Sequence, residues 1–527
     1  MQGTISPPQL ADLTGNGTLD VIQTGLDGYI HVWQPDGADL PGWPVKVTLP
    51  SNFQVKPGYN LINDSRLISG VAVAYFNGKG QPPSLVVRSQ VTEVQGGGIQ
   101  PLPFAFAMAY NLNGQELPGW PVQLQGLVEY YGSAMDALTE GISSPITLPS
   151  ATGDQVIIDP LWTTPYIVNG NGTIAGSIGN LGAAATSLLS VFQNTGLVLT
   201  PSKLPPDAPI PFDNYGSLGS LNGQLDYVSS EMGATSFAAG ELVTSSGIGI
   251  NNYEVAYPAS VGVNTVSGYP TMRQGADFLG GPAVASVSSN GQEDVIDGGD
   301  GSTLTAYDGS GNVVPGFPKY TGGWIVGTPA VGDLFSTGTV DVVATTRDGY
   351  LMAWQTPGPT SSNNQWWHGG GNDWNQNSYG VDTRPPGVIQ NASWPGNSST
   401  VSFVAPGNDW YSGQADHYNI ILEPSGQVIT EPATVSSGNV QTLTIPVGVT
   451  SVEIQAVDAA GNLATPVTVS IGAVGVPTSQ GSPIPNALTA QTGKPIEFEV
   501  VISLALFMGG LFIILLLRKR QKRTIPA

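Results

Sequence analysis

Apolar residues along most of this chain recur in runs of four to seven, alternating or continuous, broken by Gly, Asp, Asn and Pro. AVASV, DVIDGG and TLTAYD between Ala283 and Asp308 show the pattern. Such runs predict short strands joined by tight turns. Asp-Gly at 27–28, 300–301 and 348–349 suits hairpins, because Gly tolerates positive φ. One segment breaks the pattern. Val500 to Leu517 runs without a charge and is followed at once by RKRQKR. At about 1.5 Å per residue it would span about 27 Å as a helix, which predicts one membrane crossing.

The strand pattern repeats. Pro282 and Pro329, Asp294 and Asp341, and Tyr307 and Trp354 each stand 47 residues apart, and Ser6 to Pro44 follows the same plan. A closing Gly-aromatic-Pro recurs at Pro41–Pro44, Pro118–Pro121, Ser267–Pro270 and Pro315–Pro318. Units of this length with about four strands each predict propeller blades. Six units are visible in residues 1–358, and further strands upstream of Met1 would raise the number to seven or eight.

The loop Asp12-Leu-Thr-Gly-Asn-Gly-Thr-Leu-Asp20 sits between the first two strands of the first unit. Together with the repeat, it resembles the FG-GAP/VCBS repeat family, the calcium-loop propeller repeats also found in integrin α-subunit heads. The resemblance is strong in the first unit and the last two, and looser between them. It implies a Ca2+ loop with Asp12, Thr14, Asn16, the Thr18 carbonyl and Asp20 as oxygen donors. Calcium needs several oxygens from a tightly turned loop, and two carboxylates make a weak site. The equivalent loops have lost donors: Phe335 stands at the third position of Asp333–Asp341, and Ser286 replaces the first acid of Ser286–Asp294.

Residues 359–387 read as an aromatic, Asn/Gly-rich junction. Residues 388–472 alternate like a fibronectin-III-like or Ig-like sandwich. Residues 473–495 form a Pro/Gly/Ser stalk, 500–517 the transmembrane helix and 518–527 a basic cytoplasmic tail. The fold class expected is thus all-β: a propeller, a sandwich and one C-terminal membrane helix. Met1-Gln-Gly-Thr-Ile-Ser carries no signal peptide, so an export signal is expected upstream of it.

Composition narrows the function. The 38 acidic residues outnumber the 16 basic ones, and five bases are confined to 518–523. An acidic body repels phosphate, which excludes nucleic acid as a partner. No cysteine is present, which removes disulfides and thiolate chemistry. His31, His368 and His417 are scattered and form no metal cluster. Gly233–Gly240 carries a subtilase-like Gly-Ala-Thr-Ser, but the order of acid, histidine and serine fails, so Ser236 is not expected to act. Trp366, Trp367, Trp374, Trp410 and Tyr411 are expected to pack the junction in preference to stacking on a sugar.

The resulting expectation is a single-pass plasma-membrane protein with its N-terminal domains outside. It would bind or adhere to an extracellular protein or glycan and would not be an enzyme. The alternatives are an anchored accessory part of a secreted hydrolase and a structural surface-layer spacer.

Overall fold

The computed structural model describes residues 3–4, 6–50, 54, 57–61, 67–95, 101–124, 143–150, 152–159, 164–179, 207–211, 215–237, 239, 249–277, 280–335, 337–361 and 366–473. The first 359 residues make six antiparallel sheets in chain order. The first sheet is a meander of Gln9–Ala11, Asp20–Thr24, Tyr29–Trp33 and Val45–Lys46. The fifth repeats it with Ala283–Ala285, Asp294–Gly298, Thr303–Tyr307 and Lys319–Tyr320. The sixth has only Ala330–Gly332, Thr339–Thr345 and Leu351–Pro359.

Each sheet packs on the next through apolar side chains that alternate across its strands. Ile22, Ile30 and Val32 of the first sheet meet Val73, Leu85 and Phe106 of the second. Ile296, Leu304 and Ala306 of the fifth meet Val331, Val340 and Val342 of the sixth. The Gly-aromatic-Pro segments clasp these neighbours together. The Trp43 indole donates to the Leu112 carbonyl, the Trp120 indole to Gly170, and the Tyr269 hydroxyl to Asp308. In each case the acceptor lies on a hairpin turn of the following sheet. Gly is required beside the aromatic, because a Cβ on Gly42 or Gly119 would overlap the backbone of Asn113 or Asn171.

The segment from Trp366 to Ser378 crosses the inner strands. Leu10 N donates to Trp374 O at 2.8 Å, Val73 N to Gln376 O at 3.2 Å and Thr147 N to Asn377 O at 2.7 Å. Val284 N and Val331 N donate to Trp366 O and Trp367 O, both at 2.7 Å. One stretch of chain thus satisfies edge amides of five sheets, which would otherwise be buried without partners.

The expectation of a closed propeller is corrected. Among the described residues no strand pairing joins the sixth sheet to the first, and no fourth strand completes the sixth. Among the described residues its outer face is uncovered, with Leu351 72% exposed, and the sheets are not closed into a ring. The expected membrane helix is not supported either. Val500–Leu517 lies outside the described residues, and among those described no helix is long and apolar enough to cross a membrane. The single-pass plasma-membrane placement that rested on it is withdrawn.

Two further sheets follow. Gln390–Ser393, Thr400–Val404 and Val440–Thr444 form one. Gln427–Pro432, His417–Glu423, Ser451–Val457 and Val467–Ser470 form the other. Their alternating apolar residues, among them Trp394, Phe403, Tyr418, Ile420 and Ile454, share one core.

Candidate functional site

The loop expected to hold calcium closes on itself. Asp12 Oδ1 accepts from Gly15 N at 2.7 Å and Asn16 N at 3.0 Å, and its Oδ2 accepts from Gly17 N at 2.8 Å. Asn16 Oδ1 accepts from the Thr18 amide and hydroxyl at 2.9 and 2.6 Å. Thr14 is exposed. Asp20 is buried and accepts from Leu13 N at 3.2 Å. Burial pushes its carboxyl up, and the charge of Asp12 adds to that, against the amide bond.

The same acid recurs in the fourth, fifth and sixth sheets. Asp226 accepts from Leu221 N, Asp294 from Val287 N and Asp341 from Leu334 N. Burial pushes Asp226 and Asp294 up to about 6. Oδ1 of Asp294 and of Asp341 is buried without a hydrogen-bond partner. The donor set therefore fits a cation only loosely: five oxygens share one loop, but the carboxylate of Asp12 is already saturated with amides. The repeated acid first of all pins the loop between the first two strands of its sheet.

A second acidic group joins the junction to the sandwich. Carboxylate oxygens of Asp382, Asp409 and Asp458 lie within 4.8 Å of one another. Arg384 bonds Asp409 at 3.1 Å, while Asn462 bonds Asp458 at 2.8 Å. The Arg384 guanidinium also lies over the rings of Trp367 and Trp410, which meet edge to face. Trp367 is buried there, whereas Trp366 is buried in the core of the third, fourth and fifth sheets.

A third group lies within the fourth and fifth sheets. Arg273 Nη1 meets Asp297 at 2.5 Å and Glu254 at 3.6 Å, and its Nη2 donates to Gly298 O. The Ser230 hydroxyl touches both Arg273 and Asp297. Glu231 beside it accepts from Ser229, while its Oε2 is buried without a hydrogen-bond partner. Burial, then the nearby charge of Asp159, pushes Glu231 up to about 8. Burial also raises Glu254, with Asp297 adding to the effect and Arg273 opposing it. The sequence held a signal for this cluster: Glu231, Glu254 and Asp297 interrupt apolar strands in a chain with only 10% charged residues.

An open concavity lies between the second and third sheets, with a volume of about 560 Å³, in the range of small-ligand sites. Asn77, Gln155, Asn169, Asn171, Thr152 and Asp154 line it together with Phe76. Phe76 is stacked on Trp120 with ring centroids 6.0 Å apart. Gln155 donates to Asn169 at 2.7 Å, and Asp154 accepts from Tyr75 N at 2.7 Å, so this wall is held in place. No predicted site residue lies here. The lining comes from turns of two neighbouring repeats, a pairing that spacing along one repeat does not show. Ser236 is buried, donating to Gly233 O and accepting from Asn251 N.

No family model matches the chain, and no curated protein does. The likeness to FG-GAP/VCBS repeats therefore rests on the residues alone. Solved structures similar to it include BBS1N in complex with ARL6DN, at 9% identity, covering 83% of this chain and 95% of that one, with a TM-score of 0.32. The V. cholerae biofilm matrix protein Bap1 is similar at 12% identity over 72% of this chain and 80% of its own, with a TM-score of 0.31. The C-terminal domain of Pseudomonas aeruginosa PilY1 is similar at 10% identity over 87% and 80%, with a TM-score of 0.23. Likenesses this remote carry no conclusion about function.

Proposed function

We propose that the chain is a binding protein of adhesive type, not an enzyme, and that its ligand is a glycan held in the cleft between the second and third sheets. The observation that supports this reading is the cleft lining: amide, hydroxyl and carboxylate groups around one aromatic ring. Sugars offer hydroxyls that both donate and accept, and amides can answer both roles. Phe76, partly exposed in this lining, offers apolar surface for the C–H side of a sugar ring. Calcium enters this reading as a weak structural ion at Asp12, Thr14, Asn16, Thr18 and Asp20, ordering a loop and taking no part in ligand contact.

Glycan-array screening of the 527-residue chain, followed by titration calorimetry on any hit, tests it. Asn77→Ala and Phe76→Ala are expected to weaken binding tenfold or more, with the melting curve checking that each variant folds. Absence of any glycan bound, or a hit with unchanged affinity in both variants, overturns the reading. Binding of a protein in its place through the same residues would correct the ligand class.

A further inference from the structure

The cleft between the second and third sheets carries one sign of charge. Among the described residues that line it, Asp154 is the only ionisable one; Asn77, Thr152, Gln155 and Asn169 beside it are neutral. Asp154 is half-buried and held at two points. Its Oδ2 accepts from Tyr75 N at 2.7 Å, and its own amide donates to Tyr75 O at 3.1 Å. Oδ1 takes no hydrogen bond from any described residue, so one carboxylate oxygen is left for whatever enters the cleft.

The surroundings keep this charge largely unanswered. Burial pushes the Asp154 carboxyl up, against the Tyr75 amide and the charge of Lys79. Lys79 stands outside the lining, and its Nζ donates to Gly380 O at 3.3 Å. Burial, then the charges of Asp12 and Asp154, raise the Tyr75 phenol, so a second acid stands near this wall. A half-buried carboxylate gains more from a cation than an exposed one does, because less water screens the pair. An ammonium brings three donors and no acceptor. One can meet Oδ1 of Asp154, leaving two for the amide oxygens of the same lining. A carboxylated or sulfated sugar would instead face Asp154 with no base in the lining to receive it, in a chain of net charge −22.

We propose, on the glycan reading of this cleft, that its ligand is an amino-sugar glycan with free, protonated amines, and that Asp154 selects it. The ammonium pairs with the open oxygen of Asp154, while the C–H side of the ring keeps its contact with Phe76. Acetylating the amine removes the charge and with it the pairing, but leaves the hydroxyls and the ring face. The neutral form is therefore the weaker ligand, and the acidic glycans are excluded.

Titration calorimetry of the 527-residue chain tests this with a glucosamine tetramer, its N-acetylated counterpart and a galacturonic acid tetramer, at mildly acidic pH to protonate the amines. The glucosamine tetramer is expected to bind about tenfold tighter than the acetylated one, the scale of a charge-assisted hydrogen bond. The acidic tetramer is expected not to bind. Asp154→Asn keeps an oxygen for the Tyr75 amide; it should weaken the glucosamine tetramer about tenfold and leave the acetylated one unchanged. Asp36→Asn, on the exposed hairpin turn of the first sheet, controls for general attraction to an acidic surface and should change neither. If the melting curve of Asp154→Asn shows misfolding, the wild type alone decides through its ranking of the three tetramers. Equal affinity for the two hexosamine tetramers, or binding of the acidic one, overturns the proposal and leaves a glycan cleft standing. So does a preference that survives Asp154→Asn, or one lost equally in Asp36→Asn. Binding of no tetramer and of no glycan on the array removes the glycan reading itself, and this proposal with it.

Discussion

Trp43 Nε1 donates to the backbone carbonyl of Leu112 at 2.9 Å, 69 residues further along the chain. The indole reaches from the end of the first sheet onto the hairpin turn of the second, and the glycine before it lets the two backbones touch. The same relation holds for Trp120 with Gly170 and for Tyr269 with Asp308. Phe317 at the fourth such motif has no donor, and a Cβ on Gly316 would meet only Lys319 Nζ at 3.9 Å. Lys319 sits over the Phe317 ring instead.

This contrast sets up a comparison between two glycines. Gly42 and Gly316 have similar positive φ, 96° and 92°. Alanine at either position bears the strain of that conformation, about 1–2 kcal/mol. Only Gly42→Ala also drives a methyl into Asn113, which adds about 1–3 kcal/mol. Gly42→Ala is therefore expected to destabilise the chain by clearly more than Gly316→Ala. Urea unfolding of the two variants decides it, and equal losses would show that the clasp contributes nothing beyond backbone strain.

The repeat was legible because its turns need Gly, Asp and Pro at fixed places, and those residues stand out in a sequence. The order of the sheets followed from it. Openness was not legible, since Ile30 and Leu351 have near-identical sequence neighbours and differ only in what packs over them. The aromatic junction was visible as composition. That Trp366 to Ser378 would serve five sheets was not, because backbone carbonyls leave no trace in residue type. The cleft between the second and third sheets escaped for a related reason: its walls come from two repeats.

The crossing segment can be tested at Asn377. Its side-chain amide donates to Val71 O at 3.0 Å, while its backbone carbonyl accepts from Thr147 N. Asn377→Ala leaves the buried Val71 carbonyl without that donor, at a cost of about 1–3 kcal/mol. Asn375 offers a control, since its amide bond to Pro8 O is at the surface. Both residues have positive φ, 52° and 51°, so alanine brings the same backbone strain of about 1–2 kcal/mol at each. Asn375→Ala is expected to cost less than Asn377→Ala by the buried bond alone. Thermal unfolding of both variants checks the order, and the reverse order would remove the segment from its central role.

The repeated buried acids separate acceptor from charge. Asp294 Oδ2 takes the amides of Val287 and Ser288, both at 3.0 Å. Asp294→Ala orphans both and is expected to destabilise the chain by about 1–3 kcal/mol. Asp294→Asn keeps an accepting oxygen and removes a buried charge, so it is expected to be close to neutral near pH 8. If calcium pins this loop, the ranking changes: Asn would then lose stability in calcium that it does not lose in chelator. Unfolding of both variants with calcium and with chelator reads out either case.

The buried carboxyls also fix the sign of the pH dependence. Glu231 is raised from 4.5 to about 8, and Asp226 and Asp294 from 3.8 to about 6. For a carboxyl raised on folding, the folded state holds its proton at pH values where the unfolded state has released it. The contribution to stability is complete below the unfolded pKa and lost as pH rises through the folded one. Each group contributes a slope of up to about 1.4 kcal/mol per pH unit inside its window. From pH 4 to 6 all three act together, and from 6 to 8 Glu231 alone of the three still acts. The melting temperature is therefore expected to fall steadily from pH 5 to pH 8. Glu231→Gln should flatten the upper part of that fall and leave the lower part in place. A melting temperature that rises over this range, or an upper limb unchanged in the variant, would show that Glu231 is ionised in the folded chain. Its Oε2 would then need a partner supplied from outside the protein.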